Sequence, residues 1–121
     1  MAKAKKKAAQ GARIATPAQV ESLLFGTATS VELKVKVSDR AGVRSYGFAF
    51  DGAPVPMSNA QGTFLAPAGK KKLLEWVMRG DPGGTMKVVV SRDGTTIEER
   101  AKSTIEPPFG EGYDAFEIEV A

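Results

Sequence analysis

The chain has 121 residues, no cysteine and no histidine, and a formal net charge of +3. This length is enough for one ordinary domain with a single core. The missing cysteines exclude a disulfide scaffold, a zinc finger and a thiol nucleophile, and the missing histidines remove the commonest general base and transition-metal ligand. We therefore expect a domain with few catalytic groups.

The positive charge is concentrated at the start of the chain. Residues 1–20 contain no acid and five basic residues, Lys3, Lys5, Lys6, Lys7 and Arg13. Residues 21–121 contain 12 basic and 14 acidic residues, so this longer part is slightly acidic. Residues 1–13 are too polar to bury a core and are predicted to form a disordered basic arm. A single domain is then predicted over residues 14–121.

The sequence after the arm predicts one short helix over residues 17–25. Thr16 and Gln19 have the spacing of a capping box, and Pro17 occupies the first helical position, where its missing amide hydrogen costs nothing. Apolar residues then recur at helical spacing up to a glycine stop, at Val20, Leu23, Leu24 and Gly26. Because so short a helix is unstable alone in water, we expect it to dock on a larger structure.

From residue 31 onward apolar residues recur at every second position, which is typical of strands with one buried face. The clearest strands are residues 31–37 and the aromatic strip of Tyr46, Phe48 and Phe50. We expect this strip and Trp76 to lie in the core. Further strands are predicted over residues 53–56 (a proline-bearing edge), 63–65, 71–79, 85–92, 95–102 and 116–120.

Turn-forming residues separate the predicted strands. Residues 38–42 predict a turn and the Gly-Asp-Pro-Gly-Gly run at 80–84 predicts a loop. Asp51-Gly52 marks a tight turn, and Asp93-Gly94 predicts a hairpin between the strands on either side of it. A further loop is predicted around Gly110 and Gly112.

About seven short strands with turns between them are typical of an antiparallel β-sandwich. We therefore predict a mainly β fold, a single antiparallel β-sandwich of immunoglobulin-like or fibronectin-like architecture, with a barrel as the alternative. The Cys-Trp-Cys framework of true immunoglobulin domains is absent, so the likeness is one of architecture only. No motif points to a specific family.

The sequence lacks catalytic and metal-binding patterns. No serine is followed by a lysine three residues on, and no Gly-x-Ser-x-Gly element is present. Four of the five aspartates lie in glycine-containing turns, where aspartate is favoured for backbone reasons. The best cluster for calcium, Glu106, Glu111 and Asp114, lacks the ligand order of a calcium loop and is interpreted as a solvated acidic loop. We expect no enzymatic activity, no cofactor, no catalytic residue and no metal ligand.

Three functional hypotheses remain, of which a small enzyme or carbohydrate binder ranks third. The first is a non-catalytic protein-interaction or structural assembly module, whose partner is another protein. The alternative is sequence-nonspecific binding of nucleic acid or another polyanion through Lys3, Lys5, Lys6, Lys7 and Arg13, since flexible basic residues attract phosphates and release counterions. No secretory signal or membrane span is apparent, so we expect a cytoplasmic protein without membrane contact. The oligomeric state is left open.

Overall fold

The computed structural model describes residues 29–121. Within this range, Val31–Ala121 forms one compact unit, which contains nearly all of the β-sheet. The predicted basic arm, including Lys3, Lys5, Lys6, Lys7 and Arg13, lies outside the described residues, and so does the predicted helix over 17–25. Both therefore stay predictions.

The fold is mainly β and antiparallel, as the alternation of apolar residues predicts. Residues 29–121 contain no helix and six strands: β1 (Ser30–Phe50), β2 (Ala53–Val55), β3 (Gln61–Pro67), β4 (Lys72–Arg92), β5 (Thr95–Thr104) and β6 (Glu111–Ile118). β1 and β4 pair with each other at the centre of the sheet, β2 and β3 flank β1, and β5 and β6 flank β4. An antiparallel β class is confirmed, whereas the immunoglobulin-like architecture stays a prediction.

The long strands β1 and β4 each contribute to two parts of the sheet. In the part we call the first half-sheet, β2 and β6 flank the segments of β1 and β4 in which Phe48 pairs with Trp76. In the second half-sheet, β3 and β5 flank the segments in which Val35 pairs with Val90. The amide of Val37 in β1 donates to the carbonyl oxygen of Ala60, the residue just before β3, at 2.8 Å.

The predicted breaks at residues 38–42 and 80–84 were wrong, because both segments lie inside continuous strands. The two segments lie side by side in an irregular part of the β1–β4 pairing. Ala41 pairs with Thr85 and Val43 with Gly80, and the register shifts on either side of the Val43–Gly80 pair. Gly42 has a φ of 77°, in the left-handed region that glycine reaches without strain. Bulged pairing of this kind bends a strand without ending it, so each strand continues from one half-sheet into the other.

The other turns follow the sequence more closely. β4 and β5 form the predicted hairpin, and Asp93 and Gly94 between them have φ values of 50° and 80°. The predicted edge strand is present as β2, which pairs only with β1 in the described part of the chain. The last strand begins at Glu111, earlier than predicted, because Glu111 and Gly112 already pair with Arg79 and Met78 of β4. A Cβ on Gly112 would lie 3.1 Å from the Cα of Ile105, so the strand passes close to that residue.

The inward faces of both half-sheets share one hydrophobic cluster. Trp76 is 1% exposed, and its ring lies 5.3 Å from that of Phe48 and 5.1 Å from that of Phe116. Phe50 of the first half-sheet contacts Phe64 of the second, with ring centroids 4.5 Å apart. The core position predicted for Trp76, Phe48 and Phe50 is confirmed. Tyr46 is only half-buried.

A partly buried polar network ties β4, β5 and β6 together. The Trp76 indole donates to the hydroxyl of Ser103 (2.9 Å), the one fully buried polar side chain in residues 29–121, and Ser103 donates to Asp114 (2.9 Å). Arg100 donates to the same Asp114 oxygen (3.0 Å) and to the Ala115 carbonyl (2.9 Å). The carboxylate of Asp114 therefore accepts hydrogen bonds from within the fold.

Candidate interaction surface

The side of the first half-sheet that faces away from the core combines small, apolar and charged residues. Because side chains alternate along a strand, the neighbours of the buried residues in β1, β4 and β6 all point to this side. We call this set the Val77 face, and it consists of Ser45, Gly47, Ala49, Leu73, Glu75, Val77, Arg79, Glu111, Tyr113, Ala115 and Glu117.

Large apolar side chains are exposed on and beside this face. Four of the six that are exposed in residues 29–121 lie in this region: Leu73, Val77, Phe109 and Tyr113. Val77 (48% exposed) pairs across the strands with Tyr113 (60% exposed), and Phe109 (64% exposed) lies in the loop just before β6. Exposed apolar groups gathered within a polar surround mark an interaction site more often than scattered ones do.

An open groove runs along β1 and β4 across the Val77 face. It consists of three adjoining depressions of about 300, 280 and 490 Å³, the first two sharing Gly47 and Val77 and the last two sharing Ser45 and Arg79. The groove exists because β1 contributes only small side chains to this side. No atom lies within 4 Å of the position that a Cβ on Gly47 would occupy.

Charged residues surround the end of the groove near Phe109. Arg44 contacts Asp81 at 2.6 Å and Arg79 contacts Glu111 at 2.8 Å, and all four side chains are largely exposed. Exposed ion pairs of this kind contribute little to stability. Their charged groups can therefore exchange partners at small cost when another molecule binds.

The opposite end of the groove has a hydrogen-bonded pair. The hydroxyl of Tyr113 donates to a carboxylate oxygen of Glu75 at 3.0 Å. This hydrogen bond raises the pKa of Tyr113 above its ordinary value of 10.0, with smaller contributions from desolvation and from the negative charges of Glu75 and Asp114. The neutral phenol is favoured in the folded protein, so this contribution to stability is present at neutral pH and is lost as the pH rises through the raised pKa.

We expect Glu75→Gln to lower the pKa of Tyr113 toward its ordinary value, because the substitution removes the charged acceptor. The measurement is a phenolate absorbance titration in a Tyr46→Phe background, which leaves Tyr113 as the single tyrosine. Glu117→Gln, on the same side of β6, is the matched control and should leave the titration unchanged. An equal pKa in the Glu75→Gln protein and its parent would contradict the assignment.

The acidic cluster that the sequence singled out is divided by the fold. Glu111 pairs with Arg79 on the Val77 face, whereas Asp114 accepts hydrogen bonds from Arg100 and Ser103 on the inner side of β6. Within residues 29–121, no group of three or more acidic side chains is arranged to hold a metal ion. The same residues include no helix that is long and apolar enough to cross a membrane.

Sequence reasoning did not identify the Val77 face. One signal was present, because the strand predicted over residues 71–79 has apolar residues at both alternating sets of positions. Leu74, Trp76 and Met78 are the buried set, which leaves Leu73 and Val77 on the outside. The contribution of Tyr113 and of the small residues of β1 depends on strand pairing and has no signal in the local sequence.

No family model, curated protein or solved structure matches the chain.

Proposed function

We propose that this protein is a non-catalytic interaction module built on an immunoglobulin-like β-sandwich, and that its partner is a protein that binds the Val77 face. The observation that carries the proposal is the exposed pair of Val77 and Tyr113 beside a groove, with charged residues at both ends. The sandwich architecture is supported by the two half-sheets that share one core. A cytoplasmic location is part of the proposal and is supported by the cysteine-free composition.

The composition of the Val77 face is that of a protein-binding surface. Exposed aromatic residues and arginines are enriched at interfaces, where a few central side chains provide most of the binding energy. In this protein Val77 lies at the centre, Tyr113 pairs with it from β6, and Arg44 and Arg79 lie toward one end. The groove accepts side chains of a partner, and the rigid strands beneath it reduce the entropy that binding costs.

Site-specific photo-crosslinking in the cells of origin tests this proposal. We expect benzoylphenylalanine in place of Phe109 to crosslink to a defined protein. The substitution Val77→Lys should weaken binding of that protein at least about tenfold, because it puts a charge at the apolar centre. As Val77 is half-exposed, the thermal midpoint should change little.

Val89→Lys is the matched control, since Val89 lies on the outer side of the second half-sheet in the same strand. This variant should crosslink as the wild type does. A crosslinker in place of Ile97 on β5 should give no adduct with the same protein. Equal binding by the Val77→Lys and wild-type proteins, or no adduct at position 109, would refute the proposal.

The second candidate function is polyanion binding through Lys3, Lys5, Lys6, Lys7 and Arg13. The observation that favours it is that residues 1–20 contain these five basic residues and no acid. Because five charges limit the number of phosphates neutralised, we expect log K against log salt to have a slope no steeper than about −4.5 for duplex DNA. A fluorescence titration of labelled duplex measures this slope. Binding should be lost on deletion of residues 1–13, and unchanged binding by the truncated protein would contradict it.

A further inference from the structure

The residues of the Val77 face form rows that cross β1, β4 and β6. One row consists of Ala49, Glu75 and Ala115, and the next consists of Gly47, Val77 and Tyr113. Successive rows are two residues apart along each strand, a distance of about 6.6 Å. Glu75 therefore lies between two alanines, one row away from the exposed apolar pair of Val77 and Tyr113.

The carboxylate of Glu75 is oriented by the fold but is not neutralised by it. Oε1 accepts the hydrogen bond from the Tyr113 hydroxyl, at 3.0 Å, whereas no donor in residues 29–121 reaches Oε2. None of the ion pairs in the described part of the chain includes Glu75. Because the phenol is neutral, its hydrogen bond fixes the direction of the carboxylate and leaves the negative charge without a cation.

This carboxylate borders the depression of about 300 Å³ in the groove. Seven residues line the depression, and Glu75 is the one among them that carries a charge. The others are glycine, alanine, valine and aromatic residues. Opposite charges attract more strongly beside an apolar surface than in open water. The depression therefore favours a ligand with one positive charge and an apolar portion.

The Val77 face as a whole is acidic. It contains three acids, Glu75, Glu111 and Glu117, against one base, Arg79, which gives a net charge of −2. Arg79 is paired with Glu111, so Glu75 and Glu117 carry the unbalanced charge. A surface of one charge sign attracts partners of the opposite sign and raises their rate of association.

We propose that the partner binds the Val77 face through an extended segment that places an arginine or lysine side chain on Glu75 and an apolar side chain on Val77. This inference rests on the proposed function and specifies the chemistry of the partner. Residues two apart in an extended segment point the same way and are separated by about 6.6 Å, which matches the spacing of the rows.

The face has space for both parts of the basic side chain. No atom lies within 4 Å of the position of a Cβ on Gly47, so the aliphatic stem can lie there, against Val77. Arginine and lysine commonly lay this stem on apolar surface while the charged end stays with a polar partner. The charged end then donates to Oε2 of Glu75, the oxygen that the fold leaves open.

The same observations disfavour two other occupants. A second copy that presented its own Val77 face would bring a net charge of −2 against an identical charge. A metal ion requires several ligands, and residues 29–121 contain no group of three or more acidic side chains arranged to hold one. A basic side chain needs a single carboxylate, which Glu75 provides.

Peptide selection followed by a double-mutant cycle tests this inference. A phage-displayed library of random short peptides is selected on the immobilised full chain. We expect the selected sequences to contain arginine or lysine two positions from an apolar residue. The tightest arginine peptide without tyrosine is then synthesised with arginine and with citrulline, its neutral analogue. Fluorescence anisotropy measures the binding of both peptides to the wild type and to Glu75→Gln.

The citrulline substitution and Glu75→Gln should each weaken binding about tenfold. Both changes together should weaken binding little more than either alone, because both remove the same ion pair. Glu32→Gln is the matched control, since Glu32 is an exposed acid on the outer side of the second half-sheet, and should bind as the wild type does. The assignment to Glu75 is overturned if the two effects simply multiply or if Glu32→Gln weakens binding equally.

Tyr113 reports whether the basic group reaches Glu75. In the Tyr46→Phe background, the bound arginine peptide should lower the pKa of Tyr113, because a guanidinium nearby favours the charged phenolate. Arginine stays charged throughout this titration. The citrulline peptide should have little effect on the same pKa. An arginine peptide that binds and leaves the pKa of Tyr113 unchanged contradicts the inference.

The predicted basic arm over residues 1–13 is a second source of basic side chains. We expect deletion of these residues to leave the pKa of Tyr113 unchanged when no peptide is present. A rise of this pKa on deletion would show that the arm of the chain itself occupies Glu75. That result would overturn the assignment of the site to a partner.

Crosslinking at position 109 separates this inference from the proposed function. If Val77→Lys weakens binding of the crosslinked protein and Glu75→Gln does not, the proposed function stands and the inference fails. If both variants weaken it, both are supported. Selection of peptides without enrichment of arginine or lysine overturns the inference whatever the crosslinking result.

Discussion

Trp76→Ala is expected to lower the free energy of unfolding by about 3–5 kcal/mol, the range observed when large buried aromatic residues are truncated. Trp76 is 1% exposed and contacts the rings of Phe48 and Phe116. The substitution leaves a cavity between the half-sheets and also leaves the Ser103 hydroxyl without its donor. Denaturant unfolding monitored by circular dichroism measures the loss.

Trp76→Phe separates the two effects. This variant keeps an aromatic ring in the core and removes the indole N–H that donates to Ser103, together with a small part of the ring volume. We expect its cost to be smaller, about 1–2 kcal/mol, because Ser103 can still donate to Asp114. If the alanine variant were as stable as the wild type, Trp76 would not fill the core, and the two half-sheets would not pack around it.

Gly80→Ala is expected to lower the free energy of unfolding by about 3 kcal/mol, the upper part of the usual range for overpacking. Gly80 lies where β4 bends, and an added Cβ would overlap the carbonyl oxygen of Gly42 in β1. A backbone group cannot move aside as the end of a flexible side chain can. Relief of the overlap therefore requires the two bends to separate, which disturbs the Val43–Gly80 pairing.

Gly47→Ala is the matched control for this prediction. Gly47 lies in the same strand pair, opposite Val77, and no atom lies within 4 Å of its missing Cβ. We expect its stability to equal or slightly exceed that of the wild type, because alanine reduces the entropy of the unfolded chain. Equal losses of stability in the two variants would show that the close approach of the two bends does not restrict which residue can occupy position 80.

Two neighbouring residues of β4 should have different roles if the proposed function is right. Trp76 and Val77 are adjacent in sequence, yet one is at the centre of the core and the other at the centre of the Val77 face. A substitution at Trp76 should therefore reduce stability, whereas one at Val77 should reduce partner binding. Measurement of both properties for both variants distinguishes the roles.

Local sequence determined the parts of this fold that depend on neighbouring residues. Alternation of apolar and polar residues over 31–37 identified strand character and the buried side of the strand. Asp93-Gly94 identified a hairpin because both residues adopt positive φ values. These features need no knowledge of what the chain packs against, so they are accessible from the sequence.

Tertiary structure decided what depends on residues distant in the chain. Residues 38–42 and 80–84 both contain turn-forming residues, and each would end a strand if it were alone. They continue as strands because they lie side by side where β1 pairs with β4, about 40 positions apart in sequence, and glycines at the bend allow the close approach. The Ser103–Asp114 hydrogen bond and the meeting of Val77 with Tyr113 have the same origin. Pairing between distant strands brings such residues together, and no pattern in the local sequence predicts that pairing.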